Sequence, residues 1–556
     1  MDYSVPETPV LSDLSAPPDI GEGQAVPCYA LYLTALLVAI VPVVAVTTGV
    51  SVLVLVAVAG LGYGATLLVT QDLFEGLCAA VFVLVTFFAN VPLVELPVGG
   101  DGYTSPVLSV LLVDLVAVPF AGLLLWWLYS GGMSLSFGRE RIAGYALAGF
   151  VGWSLLAALV ANGPSRLAGL FYVVMQLRYL LLFGIAAVVV RYIGIHSAVY
   201  SLSIAIFGQL AYAVAEILNQ GSFGLTYLGD SGGGPAPHFF VGPFQLESSL
   251  YAGGFAGTSR VLVALLLLIT PVLLALIVRR STPWKLAAGA ALVVSVLLVR
   301  VSETDTGWMA FLLTTALALA VVCASWILTD TTAPSDRGGT LDYVAGVASA
   351  IGAMAFSVFL FSKREVSDTS SGTDGSTDTG SSAGASSLTG GSAGDDNLLV
   401  RGLDYAPLIE SENLSVRLQQ YVAAVDIGIQ YPLFGIGGMN FPLVAESYGL
   451  SHPIAIHNLY LAVLVSTGIP GAVLFLVSIG TVLVVAVRTA LSPESDRLLW
   501  AMLVCGMLGF HAYFFWVAVY GGVATLVFWV LAGAIVGASR RQRRTDETDR
   551  SDIAAT

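Results

Sequence analysis

The chain has 556 residues, of which 57% are hydrophobic and 10% charged, and its mean hydropathy is +0.87. A soluble domain carries about 25% charged residues, so most of this chain belongs in lipid. With 36 acidic against 22 basic residues, the net charge of −14 argues against nucleic acid as a partner. The acidic balance and the presence of only two lysines fit a salt-rich habitat, which favours a halophile as the source.

Apolar runs recur along almost the whole chain, and a run of about 20 residues can cross a hydrocarbon core of about 30 Å. Backbone polar groups in lipid must be satisfied within the segment, so these runs are expected to be helices. The sequence therefore predicts an all-α, polytopic bundle of about fourteen spans in the lipid bilayer. They are expected near residues 28–48, 50–70, 75–97, 107–130, 142–161, 169–190, 197–218, 258–278, 284–301, 308–328, 342–362, 469–487, 498–517 and 521–538.

Basic residues collect on one side of this arrangement, and the positive-inside rule makes that side cytoplasmic. Both termini are then cytoplasmic, and the protein is expected in the cell membrane. Lys363 and Arg364 are the exception, because they fall outside. The residues on the cytoplasmic side are Arg139, Arg141, Arg191, Arg279, Arg280, Lys285, Arg488, Arg497, Arg540, Arg541, Arg543 and Arg544.

The composition changes along the chain and predicts eight regions. In order they are a cytoplasmic disordered tail (1–27), an N-terminal transmembrane bundle (28–218), an extracytoplasmic loop (219–257), transmembrane helices of the core (258–362), a disordered Ser/Gly/Asp-rich extracytoplasmic spacer (363–410), a folded extracytoplasmic loop (411–468), C-terminal transmembrane helices (469–538) and a cytoplasmic tail (539–556). The spacer is too poor in apolar residues to build a core. Asn413, in Asn-Leu-Ser, is a candidate glycosylation site on the outer face.

The segment after the spacer is periodic and amphipathic, which predicts a helix over about 414–430 that Pro432 stops. Glycines 435, 437 and 438 predict a tight turn with close backbone approach. Residues 456–467 then predict a short helix that ends at Gly468, ahead of the next span.

Ionisable residues inside a membrane are functional candidates, because burying charge there costs several kcal/mol. The deep candidates are Asp114, Arg178, Glu216 and His511, and the outer span ends carry Arg166, Arg260, Arg300 and Glu303. The first three could equally pair with one another as structure. An arginine that begins a span can simply reach the interface, and a histidine among aromatic residues is commonly a packing residue.

His457 stands at the start of the short outer helix, and a helix N-terminus disfavours imidazolium, so this imidazole is expected to be neutral and able to accept a proton. Arg417, on the amphipathic helix, offers a forked cation suited to phosphate oxygens. The competing interpretation is that Arg417 is a solvated helical residue without a catalytic role. Four cysteines without paired spacing predict neither disulfides nor a thiolate metal site.

The order Arg417-x3-Tyr421, then YPLFGIGGMNF, then IHNLYLAVLVSTGIPGAVLFL resembles the O-antigen ligase and polymerase superfamily of membrane glycosyltransferases. The resemblance is specific over about 410–480 and extends from about 255, where FAGTSRVLVALLLLITPVLLAL is similar to the family's approach to its core. It implies a GT-C-like helix bundle that needs no metal or cofactor. Such enzymes transfer a glycan from a polyprenyl-diphosphate carrier to the hydroxyl of a glycan or glycolipid acceptor on the outer face.

Carried over by position, the resemblance implies that Arg417 binds diphosphate and that His457 acts as general base, with inversion at the anomeric carbon. Many relatives carry an arginine in a Ser-Arg-Gly-aromatic step, whereas residues 302–308 read SETDTGW. Arg300 and Arg260 are the candidates to replace that diphosphate-binding cation. Ligase and polymerase remain undistinguished.

Two other classes of protein remain open. A transporter or flippase of lipid-linked glycan or a small solute would use Asp114, Arg178 and Glu216, although no pattern of broken inverted repeats is evident. A structural or sensory protein would bind surface glycan on its outer loop without turnover.

Overall fold

The computed structural model describes part of the chain, from residue 81 to residue 555 with gaps. The described residues are 81–88, 90–95, 107–130, 138, 140–219, 223, 239–241, 244–246, 253–279, 282–302, 305–330, 337–362, 412–450, 455–492, 496–517 and 522–555. The spans predicted near 28–48 and 50–70, and the spacer predicted over 363–410, lie outside these residues.

The described residues are mostly helical, with two short hairpins of two strands each. The N-terminal part contains β1 (Asn90–Glu95), β2 (Val107–Leu111), α1 (Leu112–Tyr129), α2 (Arg141–Val160), α3 (Arg166–Ile193), α4 (Ile195–Leu218), β3 (Phe239–Val241) and β4 (Phe244–Leu246). A 3-10 turn, Gly254–Ala256, follows. The C-terminal part contains α5 (Ser259–Arg279), α6 (Thr282–Val301), α7 (Asp305–Asp330), α8 (Arg337–Ser362), α9 (Glu412–Gln430), α10 (Phe441–Val444), α11 (Leu459–Ala490), α12 (Arg497–Phe514) and α13 (Val523–Ala555), with a 3-10 turn at Ala445–Tyr448.

Seven helices in the described part of the chain are long and apolar enough to cross a membrane. They are α2, α3, most of α4, α5, most of α7, α11 and α12. Together with their apolar composition they make the chain a multi-pass membrane protein. The total of about fourteen spans and the cytoplasmic position of both termini remain predictions.

Two predicted spans are not helical throughout, which corrects the interpretation of 75–97 and 107–130. Residues Asn90–Glu95 pair antiparallel with Val107–Leu111, and the register shifts between Pro92 and Val94. Pro92 has no N–H to donate, so an irregular ladder is expected at this point. Apolarity alone predicted helix here, but the valines in both segments favour strands, and Pro92 disfavours a helix.

The transmembrane core is built from helices distant in sequence. The main helix pairs are α3 with α13, α2 with α11, and α5 with α12. Gly533 and Gly537, four residues apart on α13, leave no room for a Cβ against the carbonyls of Phe183 and Ala187 on α3. Small residues at this spacing let two helix backbones approach closely in lipid.

The deep charged residues are held in structural contacts. Arg178 donates from Nε and from a terminal nitrogen to the two Asp114 carboxylate oxygens, at 2.8 and 2.7 Å, and it also donates to the carbonyl of Ser109. Glu216 is buried and accepts a hydrogen bond from the backbone N–H of Gly254 at 2.8 Å. The predicted pairing thus occurs between Asp114 and Arg178, whereas Glu216 caps the first 3-10 turn.

Candidate active site

The amphipathic helix predicted over about 414–430 is present as α9, and one of its faces carries the polar side chains of the motif around Arg417. Arg417, Gln420 and Tyr421 are three and four residues apart, so they share a face. Helix α9 packs against α11. Ala424 and Ile427 of α9 are fully buried in a small apolar core of their own, separate from the transmembrane core.

The glycine-rich turn after α9 packs directly against a break in α11. Gly468 interrupts α11 with φ 70° and ψ −174°, so the short helix predicted to end at Gly468 is confirmed. The backbone N–H of Ile436 donates to Val465 at 2.8 Å, and that of Ile469 donates to Pro432 at 2.7 Å. Gly435, with φ +61°, leaves no room for a Cβ against the Val465 carbonyl. These contacts fix the end of α9 beside α11.

The same turn is anchored to the α2–α3 connection. Asn440 accepts a hydrogen bond from the Ser165 N–H at 2.9 Å and donates to the Ser165 carbonyl at 3.1 Å. The Trp153 indole N–H donates to the Thr467 carbonyl at 2.9 Å. Because Asn440 and Thr467 are both buried, the turn and the break in α11 have defined positions relative to the membrane helices.

His457 precedes α11, whose first residues are capped by Asn458. The Asn458 side chain accepts from the N–H groups of Tyr460 and Leu461 at 2.9 and 3.0 Å. Such a cap satisfies two of the donors that a helix start leaves open. His457 is therefore held by the cap on one side, and by α9 on the other.

Two consecutive residues of α9 contact His457. The Tyr421 hydroxyl donates to the His457 carbonyl at 2.8 Å, and the Gln420 carbonyl oxygen lies 3.0 Å from His457 Nδ1. The Tyr421 oxygen is also 3.2 Å from the Phe515 carbonyl, just after α12. These contacts bring together α9, the start of α11 and the end of α12.

Arg260 reaches this region from a fourth segment, the first turn of α5. Its carbonyl accepts a hydrogen bond from the Tyr513 hydroxyl of α12 at 3.2 Å, and its side chain is exposed. Arg417 on α9 is partly exposed. Both guanidinium groups are therefore available to a ligand.

The electrostatics of His457 show that these segments converge. Burial, the charge of Arg417 and the charge of Arg260, in that order, lower the pKa of His457 to about 4. The pKa of Tyr421 is raised by burial, an effect that the Arg417 charge partly offsets. A cation close to an imidazole disfavours its protonated form. The neutral state predicted for His457 is thus obtained, but through burial and two arginines.

Three of the predicted site residues lie in the same region of the structure. His457, Arg417 and Arg260 lie close enough for their charges to interact. Arg300 is in the last turn of α6, and because α5 and α6 form a hairpin it lies at the same end of the bundle as Arg260. Asn413 is in the first turn of α9. Glu303 lies outside the described residues, and α7 begins after it.

Gln420 was missed by the sequence reasoning, although a signal was present. It lies three residues after Arg417 and one before Tyr421, so the helical period alone places it on the face that carries the motif. A second missed contact is between the Tyr460 hydroxyl and His511 Nδ1, 2.8 Å apart. His511 is thus a hydrogen-bonded neighbour of the site.

The arrangement combines two permanent cations with an uncharged imidazole at one end of the helix bundle. Guanidinium groups suit a polyanion such as a diphosphate, and a neutral imidazole can accept a proton from a hydroxyl. Across the ranges that the structure describes, no group of three or more His, Cys, Asp or Glu is arranged to hold a metal ion.

Residues 290–476, about a third of the chain, match the family model described as O-antigen ligase. The matched segment contains Arg300, Arg417, Gln420 and His457, whereas Arg260 lies before it. No curated protein matches the chain. The apolar helices and this match together indicate a multi-pass membrane protein that carries a segment similar to the O-antigen ligase family.

Proposed function

We propose that this protein is a membrane glycosyltransferase that joins a glycan from a polyprenyl-diphosphate carrier to an acceptor hydroxyl at the outer face of the cell membrane. The acceptor is a glycan or a glycolipid of the cell surface. The family match supports the general class, because O-antigen ligases act on lipid-linked glycans in a membrane.

The observation that carries the proposal is the convergence of Arg260, Arg417 and His457 from three separate segments. Arg260 and Arg417 both lower the pKa of His457, so both cations lie close enough for their charges to act on this imidazole. Among the described residues neither arginine has a carboxylate partner within salt-bridge distance. Positive charge that no carboxylate neutralises favours an anionic ligand.

In the proposed reaction His457 acts as general base. The acceptor O–H bond breaks, its proton moves to the imidazole, and the oxygen bonds to the anomeric carbon of the donor glycan. The bond from that carbon to the diphosphate oxygen breaks, and its electron pair leaves with the carrier. Arg260 and Arg417 stabilise the charge that develops on the diphosphate.

Metal independence and inversion are further parts of the proposal. Two guanidinium groups supply positive charge at the leaving group, a task that divalent metals perform in many other phosphate-handling enzymes. Attack from the face opposite the diphosphate inverts the anomeric centre. Arg300, at the same end of the bundle, is a further candidate for contact with the carrier.

A transporter has less support, because the deep charges it would use are occupied. Asp114 and Arg178 form a two-point ion pair, and Glu216 caps a 3-10 turn. A translocation pathway needs groups that exchange their partners during transport. Substitutions that remove these charges, Asp114→Asn and Glu216→Gln, are expected to leave glycan transfer unchanged in protein that folds.

The test is glycan transfer in a strain that lacks the native gene and carries a plasmid copy. His457→Ala is expected to lower transfer by about 10³-fold, the contribution typical of a general base. Unmodified lipid-linked donor should accumulate, while the protein inserts at normal levels. Arg488→Ala is the matched control, because Arg488 is exposed in the last turn of α11, far from the site.

The same assay gives a pH profile. Because the pKa of His457 is lowered to about 4, the imidazole stays neutral above that value, and transfer should show no acidic limb from His457 between about pH 5.5 and 8. Normal transfer by His457→Ala would refute the role of the histidine.

A further inference from the structure

Gln420 is a buried amide that contacts His457 through a single atom. Its side chain is 0% exposed, and its Oε1 lies 3.0 Å from His457 Nδ1 and 3.3 Å from the backbone nitrogen of His457. Both contacts therefore use the same oxygen.

The backbone contact decides which way the amide points. A backbone N–H only donates, so the Gln420 atom that faces it must be the carbonyl oxygen. That oxygen only accepts, so His457 Nδ1, which shares it, must carry the hydrogen. A neutral imidazole has one N–H, and the lone pair therefore lies on Nε2.

The ring is also held in orientation. The Tyr421 hydroxyl donates to the carbonyl of His457, so adjacent residues of α9 contact its backbone N–H, its carbonyl and its ring. The Nε2 amide group of Gln420 has no hydrogen-bond partner among the described residues. A buried unmade donor costs about 1–3 kcal/mol, so stability alone does not explain an amide here.

We infer that Gln420 is a positioning residue that keeps His457 in the Nδ1–H tautomer, with the Nε2 lone pair presented to the acceptor hydroxyl. The inference rests on the proposed function for its catalytic meaning. In the transfer step, the acceptor's proton moves to Nε2 while Nδ1–H stays bonded to Gln420. In the other tautomer Nε2 would carry a hydrogen and could not accept that proton.

The tautomer can be measured without any substrate. The chain has 5 histidines, so ¹⁵N-histidine labelling of the full-length protein in liposomes gives a small set of signals, and His457→Asn identifies the one that belongs to His457. We expect a protonated Nδ1 and an unprotonated Nε2 at neutral pH. An Nε2–H tautomer in the wild-type protein would overturn the inference, whatever the activity.

Two substitutions at Gln420 separate positioning from packing. Gln420→Met keeps an unbranched chain of similar volume but removes the acceptor, so it should mix the tautomers and lower transfer by about 10²-fold. Gln420→Glu keeps an oxygen for Nδ1 and should restore transfer near pH 8. Gln419→Ala is the control, because Gln419 is the exposed neighbour on the same helix.

The glutamate variant also has a distinct pH signature. The charged groups that act on His457 are Arg417 from α9 and Arg260 from α5, with the Tyr421 hydroxyl beside its carbonyl. A carboxylate at position 420 would favour imidazolium against those cations and raise the pKa of His457. Transfer by Gln420→Glu should therefore fall as the pH drops, at a higher pH than in the wild type.

The outcomes distinguish this inference from the proposed function. Wild-type transfer by a folded Gln420→Met variant would refute the positioning role. If His457→Ala also transfers normally, the general-base role of His457 fails, and the measured tautomer then reports structure alone. If only His457→Ala is inactive and the Gln420→Met ring keeps its Nδ1–H tautomer, another group sets the tautomer.

Discussion

Two groups of charged residues in this protein are arranged in opposite ways. In the membrane bundle, Arg178 is bonded at two points to Asp114, and each side chain is less than a fifth exposed. At the end of the bundle, the charges of Arg260 and Arg417 act on a neutral His457, and no described carboxylate lies within salt-bridge distance of either arginine.

The difference indicates which group is structural. Opposite charges that are paired inside a protein have little remaining capacity to bind a ligand. Removing one member of such a pair leaves the other as an uncompensated buried charge. Two like charges near an uncharged base remain able to bind an anionic ligand, which in the proposed function is a diphosphate. In this protein, the paired charges Asp114 and Arg178 are thus weaker candidates for function than Arg260 and Arg417, which have no carboxylate partner among the described residues.

The largest expected effect tests the unpaired cations. Arg417→Ala is expected to lower glycan transfer by about 10²- to 10³-fold, because in the proposed reaction it removes one of the two groups that stabilise the leaving diphosphate. Arg417→Lys keeps the charge but loses the forked geometry, so it should recover only part of the activity. Arg260→Ala should act in the same direction.

The arginine variants also carry a check that is independent of turnover. Each arginine lowers the pKa of His457, so removing either should raise that pKa in an NMR titration of the labelled protein. An unchanged titration in both variants would mean that the two cations are not near the histidine, and the contrast with the buried pair would fail.

The next effect concerns the ion pair and should appear in stability. Asp114→Leu leaves the mostly buried Arg178 guanidinium without its carboxylate partner and is expected to lower the free energy of unfolding by about 3–5 kcal/mol. The double variant Asp114→Leu with Arg178→Leu should recover much of that loss. Thermal unfolding in detergent measures both. Loss of transfer per folded molecule in the double variant would assign this pair a functional role.

The smallest effect concerns the backbone that positions the site. Gly435→Ala should be destabilising and should lower transfer, because its φ is +61° and a Cβ would overlap the Val465 carbonyl at the break in α11. Gly449→Ala is the matched control, since its φ is +75° but nothing lies within 4 Å of a Cβ there. Gly449→Ala should lower the free energy of unfolding by only about 1 kcal/mol, because alanine is strained in the left-handed backbone conformation.

Comparison of the two glycine variants separates the effect of backbone strain, which both share, from steric overlap with α11, which only Gly435→Ala creates. Equal losses of transfer in both would show that the close approach of the turn to α11 does not position His457. A loss of transfer confined to Gly435→Ala would show that transfer depends on the close contact between the turn after α9 and the break in α11.

Several features of the fold and the site could be predicted locally. Apolar runs gave the helices α2 to α8, α12 and the part of α11 after Gly468 to within a few residues, and amphipathic period with a following proline gave α9. Helix α13 begins near the predicted residue but continues to Ala555, well past the predicted end at residue 538. Gly468 ended the short helix as expected, since a φ of 70° suits glycine. The motif around Arg417 and His457 gave the resemblance that the family match confirms.

Other features could not be predicted in this way. The β1–β2 hairpin was missed because a short apolar segment satisfies a helix or a strand equally well until its partner strand is known. Glu216 was grouped with Asp114 and Arg178 by its chemistry, but it accepts a hydrogen bond from the backbone N–H of Gly254.

The sequence by itself determined the class of this protein, most of its helices, and the candidate site residues Arg417, His457, Arg260 and Arg300. Composition and period are properties of neighbouring residues, so they can be read without a fold. Only the tertiary structure brought Arg260 to His457 and showed that the oxygen of Gln420 faces its ring, because distance between remote segments depends on how helices pack. The sequence of a buried helix does not indicate which helices pack against it, and the ionisation and tautomer of His457 depend on the residues packed around it.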